Sequence, residues 1–240
     1  PRAAGKAGRA ARGAAAALAL AAACAVAALS VAHAPLAAQA GPARAAPRAT
    51  AESGPVAGPP GPALDPRIVA LLRQVSPERL RAIVDTLASF GTRHTLSSTS
   101  DPRRGIGAAR QWIHDRLKAA SPRLQVAFDR HTVAPGGRIP RPAEVVNVVA
   151  VLPGRSPRRV YVTGHYDSVV LRPPPEDSAA ARTFDNRAPG ANDDGSGTAV
   201  VLELAQVLAQ SGLEFDATLV FVALAGEEQG LVGARAHAQR

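Results

Sequence analysis

Three short runs carry side chains able to act together: Gly164-His165-Tyr166-Asp167-Ser168, Ala191-Asn192-Asp193-Asp194-Gly195-Ser196-Gly197 and Gly226-Glu227-Glu228-Gln229-Gly230. A histidine that binds metal through one ring nitrogen needs an acceptor for its other ring N–H. A carboxylate two residues along an extended segment lies on the same side and can supply it, as Asp167 would for His165. In the second run two adjacent acids precede a helix in a glycine-rich loop. An N-cap on Asp194 or Ser196 accounts for one acid but not for both. A calcium loop fits poorly, because the aspartates are adjacent rather than alternating and no acid stands at the far position. The third run pairs two glutamates, which is ordinary in a first helical turn. Two carboxylates on one turn can also divide the work, one as metal ligand and one as general base. Each run alone has a plain structural reading; all three at neighbouring edges of one unit point to a metal site.

The elements that must position them are a strand, a helix and a second strand. Val160 to Thr163 reads as a buried strand closing on Gly164, and Thr218 to Ala225 is a second apolar run with β-branched and aromatic enrichment. Thr198 to Gln210 sets Val201, Leu204, Ala205 and Leu208 on one face at helical spacing, and Gly212 ends it. Such a βαβ unit predicts parallel neighbouring strands joined by a right-handed crossover. Crevices in open α/β sheets lie at the carboxyl ends of the strands, where His165, Asp167, Glu227 and Glu228 fall, with Asp193 on the intervening loop. The Thr218 to Ala225 strand, apolar throughout, predicts a neighbour on its other side that the chain leaves unsupplied.

Upstream, residues 2 to 12 are basic, residues 14 to 32 are an Ala/Leu/Val run, and Ala38-Gln39-Ala40 offers a small-residue cleavage site. Residues 1–40 thus have the form of a secretory signal peptide, which predicts an exported protein, secreted or periplasmic. A lipoprotein anchor at Cys24 is the weaker alternative, since Ala22-Ala23-Cys24 lacks a large apolar residue three before the cysteine. Cys24 is the only cysteine, so the exported chain would hold no internal disulfide. Residues 41–63 form a Pro/Ala-rich linker, and residues 64–240 the folded domain. Arg67 to Val75 is apolar-periodic. Ser76-Pro77 is an N-cap with proline at the first helical position, opening a helix through Leu80, Ile83, Val84 and Leu87 that stops at Gly91. Ile106, Arg110, Ile113 and Leu117 set out a third helix ending near Ala120. Leu124 to Val133 and Glu144 to Leu152 read as strands, the second apolar enough to be central, with a Pro135 to Pro142 turn between them.

Composition narrows the partners. The formal charge is +9, but Arg2, Lys6, Arg9 and Arg12 fall in the first forty residues, which hold no acid, and leave +5 for the remainder. No basic stripe with interleaved aromatic platforms occurs, which argues against nucleic acid. No stable membrane partner is expected once the leader is removed.

The runs TGHYDS, PGANDDGSGTA and ALAGEEQGLVGA resemble the di-zinc metallopeptidase family of bacterial leucyl aminopeptidases, aminopeptidase Y and the glutamate carboxypeptidase relatives. The likeness extends to Phe90-Gly91-Thr92-Arg93-His94, the Gly105 to Lys118 helix and Val146-Asn147-Val148-Val149, covering about residues 64 to 240. It implies an α/β fold, a three-layer αβα sandwich with a mixed, mostly parallel sheet. It implies two Zn2+ ions per complete catalytic domain. His165 would bind one zinc, Asp193 would bridge both, Glu228 would bind the other, Glu227 would be the general base, and Asp167 would orient His165. It also implies a cis peptide between Asp193 and Asp194. Two further ligands, an aspartate and a histidine, would lie beyond Arg240, since His237 follows Glu228 too closely; the chain then reads as the N-terminal portion of the domain.

These expectations describe an exported zinc exopeptidase acting on peptides or proteins. Aminopeptidase chemistry is the leading form, with carboxypeptidase or glutaminyl cyclase chemistry as the alternative on the same scaffold. A non-catalytic binding domain of this fold is a third reading, against which Glu227 speaks.

Overall fold

A computed structural model describes residues 65–171, 175–176, 178–179 and 183–239. The expected leader and the linker lie outside the described residues. Two helices come first, α1 (Pro66–Leu72) and α2 (Pro77–Ser89). Ser76 caps α2 as its type predicts, its Oγ accepting the Arg79 N–H at 3.1 Å with Pro77 at the first position. Helix α3 (Gly105–Ala120) follows and buries Ile106, Ala109, Ile113 and Leu117, a stripe at helical spacing.

Four strands make one sheet in the order β1-β2-β4-β3: β1 (Gln125–Val133), β2 (Ala143–Leu152), β3 (Ser156–His165) and β4 (Ala217–Leu224). Helix α4 (Gly197–Gln210) connects β3 to β4, and this βαβ unit gives a parallel pair, Val160 opposite Leu219 and His165 opposite Leu224. A last helix, α5 (Val232–Ala238), follows the glutamate turn.

Three expectations are corrected. The sheet is mixed as expected, but it is not mostly parallel among the described strands, since β1–β2 and β2–β4 are both antiparallel. The short turn between β1 and β2 makes a hairpin, and only the helical crossover yields a parallel pair. The strand at Val160 is not buried: Val160 and Tyr161 are about half exposed, because β3 is the edge of the described sheet and pairs only with β4. Strand β4, expected to lack a neighbour, is flanked on both sides by β2 and β3. Its continuous apolar run reflects that interior place.

The core lies between the sheet and helices α2, α3 and α4, with Val148, Ala150, Leu152 and Phe221 meeting Ile83, Leu87, Ile113 and Leu202. Helix α4 departs from the predicted face: Val201 and Ala205 are buried but Leu204 and Leu208 only partly, while Leu202, Val207 and Ala209 are buried, since the helix packs against both neighbouring helices and the sheet. Successive residues of a strand face opposite ways. Asn147, out of phase with Val148 and Ala150, reaches α5 by donating to the Gly233 carbonyl at 3.1 Å. Helices therefore stand on both faces. Among the described residues no helix is long and apolar enough to cross a membrane.

Candidate metal centre

Strand β3 ends against the first turn of α4. Gly164 permits this approach, for a Cβ there would lie 2.9 Å from the Gly197 carbonyl carbon and 3.0 Å from the Thr198 nitrogen. The contact is tied by two hydrogen bonds on His165: its N–H donates to Asp194 Oδ2 at 3.0 Å, and its carbonyl accepts from Thr198 Oγ1 at 2.8 Å. Tyr166 turns the other way, fully buried, and its hydroxyl donates to the Val146 carbonyl at 2.6 Å. His165 Nδ1 faces Asp167, 3.3 Å from its carbonyl and 3.5 Å from Oδ1, while Nε2 points to the loop opposite.

That loop resolves the question of the paired aspartates. The Asp193–Asp194 peptide is cis. Asp194 is the cap, its Oδ1 accepting the Gly197 N–H at 2.8 Å while Oδ2 holds His165. Asp193 points out of the loop, 66 % exposed, with Oδ1 3.1 Å from His165 Nε2. One acid is spent on structure and the other is left facing the histidine.

The glutamate turn follows β4 directly. The buried Asp167 carboxylate collects its donors: Glu227 N–H to Oδ1 and Glu228 N–H to Oδ2, both at 3.2 Å, with Thr95 Oγ1 on Oδ2 at 3.1 Å. Asp167 therefore orients the histidine and holds the glutamates as well. Glu227 Oε2 lies 3.9 Å from His165 Nε2. Glu228 lines a cleft of about 490 Å³ together with Asp193, Asn192, Pro189, Val169 and Val170.

The site is short of positive charge. Burial pushes the Glu228 carboxyl up, and Asp167 and Asp193 push it further. Burial would lower the His165 imidazole, but the hydrogen bond and charge of Asp167, with Asp194 and Glu227 behind, raise it to about 9. Both shifts mark a place where a cation is favoured. Among the described residues no three His, Cys, Asp or Glu side chains come together closely enough to enclose a metal ion. His165 and Asp193 nonetheless fit zinc as a pair. Two ligands about 2.0 Å from a tetrahedral zinc stand about 3.3 Å apart, against the 3.1 Å observed. Glu228 stands on the wall of the cleft that Asp193 also lines.

Other residues support the site without any sign of it in the three runs. Arg93 is fully buried and reaches the main chain just after His165 and just before Asp193; burial lowers its guanidinium to about 10, against the pull of Asp167 and Asp194. Asn147 Oδ1 accepts the Ala225 N–H at 3.0 Å, just before the glutamate turn. His94 Nδ1 accepts the Leu96 N–H, so its neutral ring carries the proton on Nε2, 3.4 Å from the Gln229 amide nitrogen. Gln229 Oε1 is buried with no hydrogen-bond partner among the described residues. His237 is turned to Asp129, 2.8 Å from Oδ2. The runs Phe90-Gly91-Thr92-Arg93-His94 and Val146-Asn147-Val148-Val149 offered a sequence signal for Arg93, His94 and Asn147, and neither assigned a role.

Residues 147–240 match Peptidase family M28. A probable zinc metalloprotease of Pyricularia oryzae is 46 % identical over 181 residues, 73 % of this chain and 34 % of its own length. Leucine aminopeptidase 1 of Leptosphaeria maculans is 32 % identical over 183 residues, 74 % of this chain and 42 % of its own length. Among solved structures, LapB of Legionella pneumophila superposes with a TM-score of 0.52 at 25 % identity, covering 72 % of this chain and 41 % of LapB. Glutaminyl cyclase of Porphyromonas gingivalis has a TM-score of 0.51 at 20 % identity, with 68 % and 54 % covered, and shares the fold. The chain spans between about a third and two fifths of the length of these two curated relatives.

Proposed function

The chain belongs to peptidase family M28, and from that premise we propose that the protein is a zinc-dependent exopeptidase, an aminopeptidase in its leading form. The observation that carries the reading is the convergence on His165 Nε2 of Asp193 Oδ1 at 3.1 Å and Glu227 Oε2 at 3.9 Å. His165, Asp193 and Glu228 would hold zinc, with Asp193 shared where two ions bind. When bound, zinc lowers the pKa of an attacking water and polarises the scissile carbonyl.

The chain's own residues supply the rest. Glu227 has its main chain fixed by Asp167 and its side chain in the mouth of the site, 37 % exposed. It would take a proton from water and return it to the leaving amine. Glu228, one residue on, turns to the cleft, so the neighbours take different tasks. The free α-amine of a peptide is the natural partner for this surplus of carboxylates.

Export is part of the proposal and rests on the sequence of residues 1–40 alone. The test is to purify the whole protein, measure zinc per chain, and assay aminoacyl anilides beside N-blocked and N-glutaminyl peptides with and without chelator. Chelator-sensitive release from the free-amine substrate alone is expected. Cyclisation of N-glutaminyl peptides, turnover of N-blocked substrates, or turnover that chelator leaves unchanged would sink the aminopeptidase reading.

A further inference from the structure

Arg93 joins three segments that are far apart in the sequence. Its Nε donates to the Tyr166 carbonyl at 2.6 Å, one residue after His165. Its Nη2 donates to the Gly190 carbonyl at 2.9 Å, and Nη1 to the Pro189 carbonyl at 2.5 Å, three and four residues before Asp193. Nη1 also reaches the Leu87 carbonyl at the end of α2, at 2.9 Å. The main chain repeats the link: Arg93 N–H donates to Ser168 Oγ at 3.0 Å, and Ser168 Oγ donates to the Ala188 carbonyl at 2.7 Å. The side chain is wholly buried, and all four of these acceptors are main-chain carbonyls.

A buried cation is costly unless its donors are met, and carboxylates would meet them at least cost. Here the fork is given to carbonyls on two loops, where it acts as a rigid spacer between them. The packing leaves no slack. Gly190 is left-handed at φ 46°, and a Cβ there would stand 3.0 Å from Arg93 Nη2 and 2.7 Å from Ser168 Cβ. The two loops carry His165 and Asp193, whose approach is the metal site.

We propose that Arg93 is the positioning residue of the metal centre: it sets the separation of the His165 and Asp193 arms, so that zinc affinity depends on it more than the fold does. The inference rests on the metal-centre reading of His165 and Asp193. Lysine keeps the charge, but as a point donor it cannot span both loops.

The test compares the whole wild-type protein with Arg93→Lys and with Glu203→Gln, a fold-weakening control remote from the site. Three quantities are measured: the Tm of the metal-free protein, zinc Kd by competition with a chelator, and the visible absorption of the Co2+ form. Arg93→Lys should weaken zinc binding about 10- to 100-fold, the range seen for groups that orient ligands, and change the Co2+ spectrum. Glu203→Gln should lower the metal-free Tm with unchanged zinc Kd and spectrum. If Arg93→Lys does not fold, Ser168→Ala cuts the parallel link without touching the buried charge, and a severalfold weaker Kd is expected. Wild-type zinc affinity in Arg93→Lys, or in Ser168→Ala where only that variant folds, would overturn the proposal. If His165→Ala leaves zinc affinity unchanged in the same titration, the metal-centre reading fails instead.

Discussion

Asp167 Oδ1 accepts the main-chain N–H of Glu227 at 3.2 Å, so the residue expected to orient a histidine also fixes the turn that carries the glutamates. In Asp167→Asn one oxygen remains to serve the N–H groups of Glu227 and Glu228, and at least one buried donor loses its acceptor. The expected loss is about 1–3 kcal/mol of stability. Zinc affinity should fall by about 10- to 100-fold as His165 loses its orienting carboxylate. Denaturant unfolding of the metal-free protein and a chelator competition measure the two effects separately. Unchanged zinc affinity would restrict Asp167 to a role in the turn.

Adjacent glutamates make a sharp comparison. Glu227→Gln keeps the shape and removes the base, so turnover by the whole protein should fall by about 10² or more with zinc content unchanged. Glu228→Gln removes a charge from the cleft wall shared with Asp193 and should lose zinc. Steady-state assay on an aminoacyl anilide beside metal analysis decides the matter. Near-normal turnover in Glu227→Gln would mean that the two roles are assigned wrongly.

The elements of this fold were legible because their signals are local. Ser76-Pro77 announces α2 by cap chemistry, and the run Thr218 to Ala225 reads as a strand wherever it lies in the sheet. What a strand has beside it is not local, so β3 was expected buried and is an edge. The site shows the same division. His165, Asp193 and Glu228 stand out as polar groups at the ends of apolar runs. Arg93 is invisible in that way, because its partners are carbonyls of Leu87, Tyr166, Pro189 and Gly190, and every residue has a carbonyl. Asn147 hides likewise as one polar residue within an apolar strand. The paired aspartates were half read: a cap was expected for one, and only the loop geometry tells which.

The α2 start is sensitive to acid. Glu203 is buried on α4 and accepts Arg79 Nε at 2.9 Å, Arg79 Nη2 at 2.5 Å and the Ser76 N–H at 2.8 Å. Burial would raise this carboxyl, but those bonds outweigh it and hold it below the usual glutamate range. A depressed folded pKa means stability that is complete above the unfolded value near 4.3 and is lost as pH falls through the folded one. Wild type should thus weaken from about pH 5 downward more steeply than Glu203→Gln. At neutral pH the variant should be less stable by about 1–3 kcal/mol, a modest figure because Arg79 is 37 % exposed and water still reaches it. Denaturant midpoints from pH 3 to 7 measure both. Parallel pH profiles would show that the pair contributes nothing through charge.

Asn147 joins β1, the end of β4 and α5 with one amide. Its Nδ2 donates to Asp129 Oδ2 and to the Gly233 carbonyl, both at 3.1 Å, and its Oδ1 accepts the Ala225 N–H at 3.0 Å. No exposed atom of this residue is available to water. Asn147→Leu fills the space but strands a buried N–H, a buried carbonyl and one bond to Asp129, at a cost of about 2–4 kcal/mol. Asn147→Asp keeps the acceptor for Ala225 and sets a second carboxylate against Asp129, where repulsion and lost donors act together. The Asp variant should therefore be the weaker of the two at pH 7 and should recover part of the difference at about pH 5, as one of the paired carboxyls takes up a proton. Because the amide holds Ala225, two residues before Glu227, both variants should also loosen the glutamate turn and speed hydrogen exchange at Glu227 and Glu228. Exchange measured by mass spectrometry on peptides covering residues 224 to 233 tests this directly. Loss of stability with wild-type exchange in those peptides would mean that Asn147 serves the sheet alone and that the turn is held by Asp167 without it.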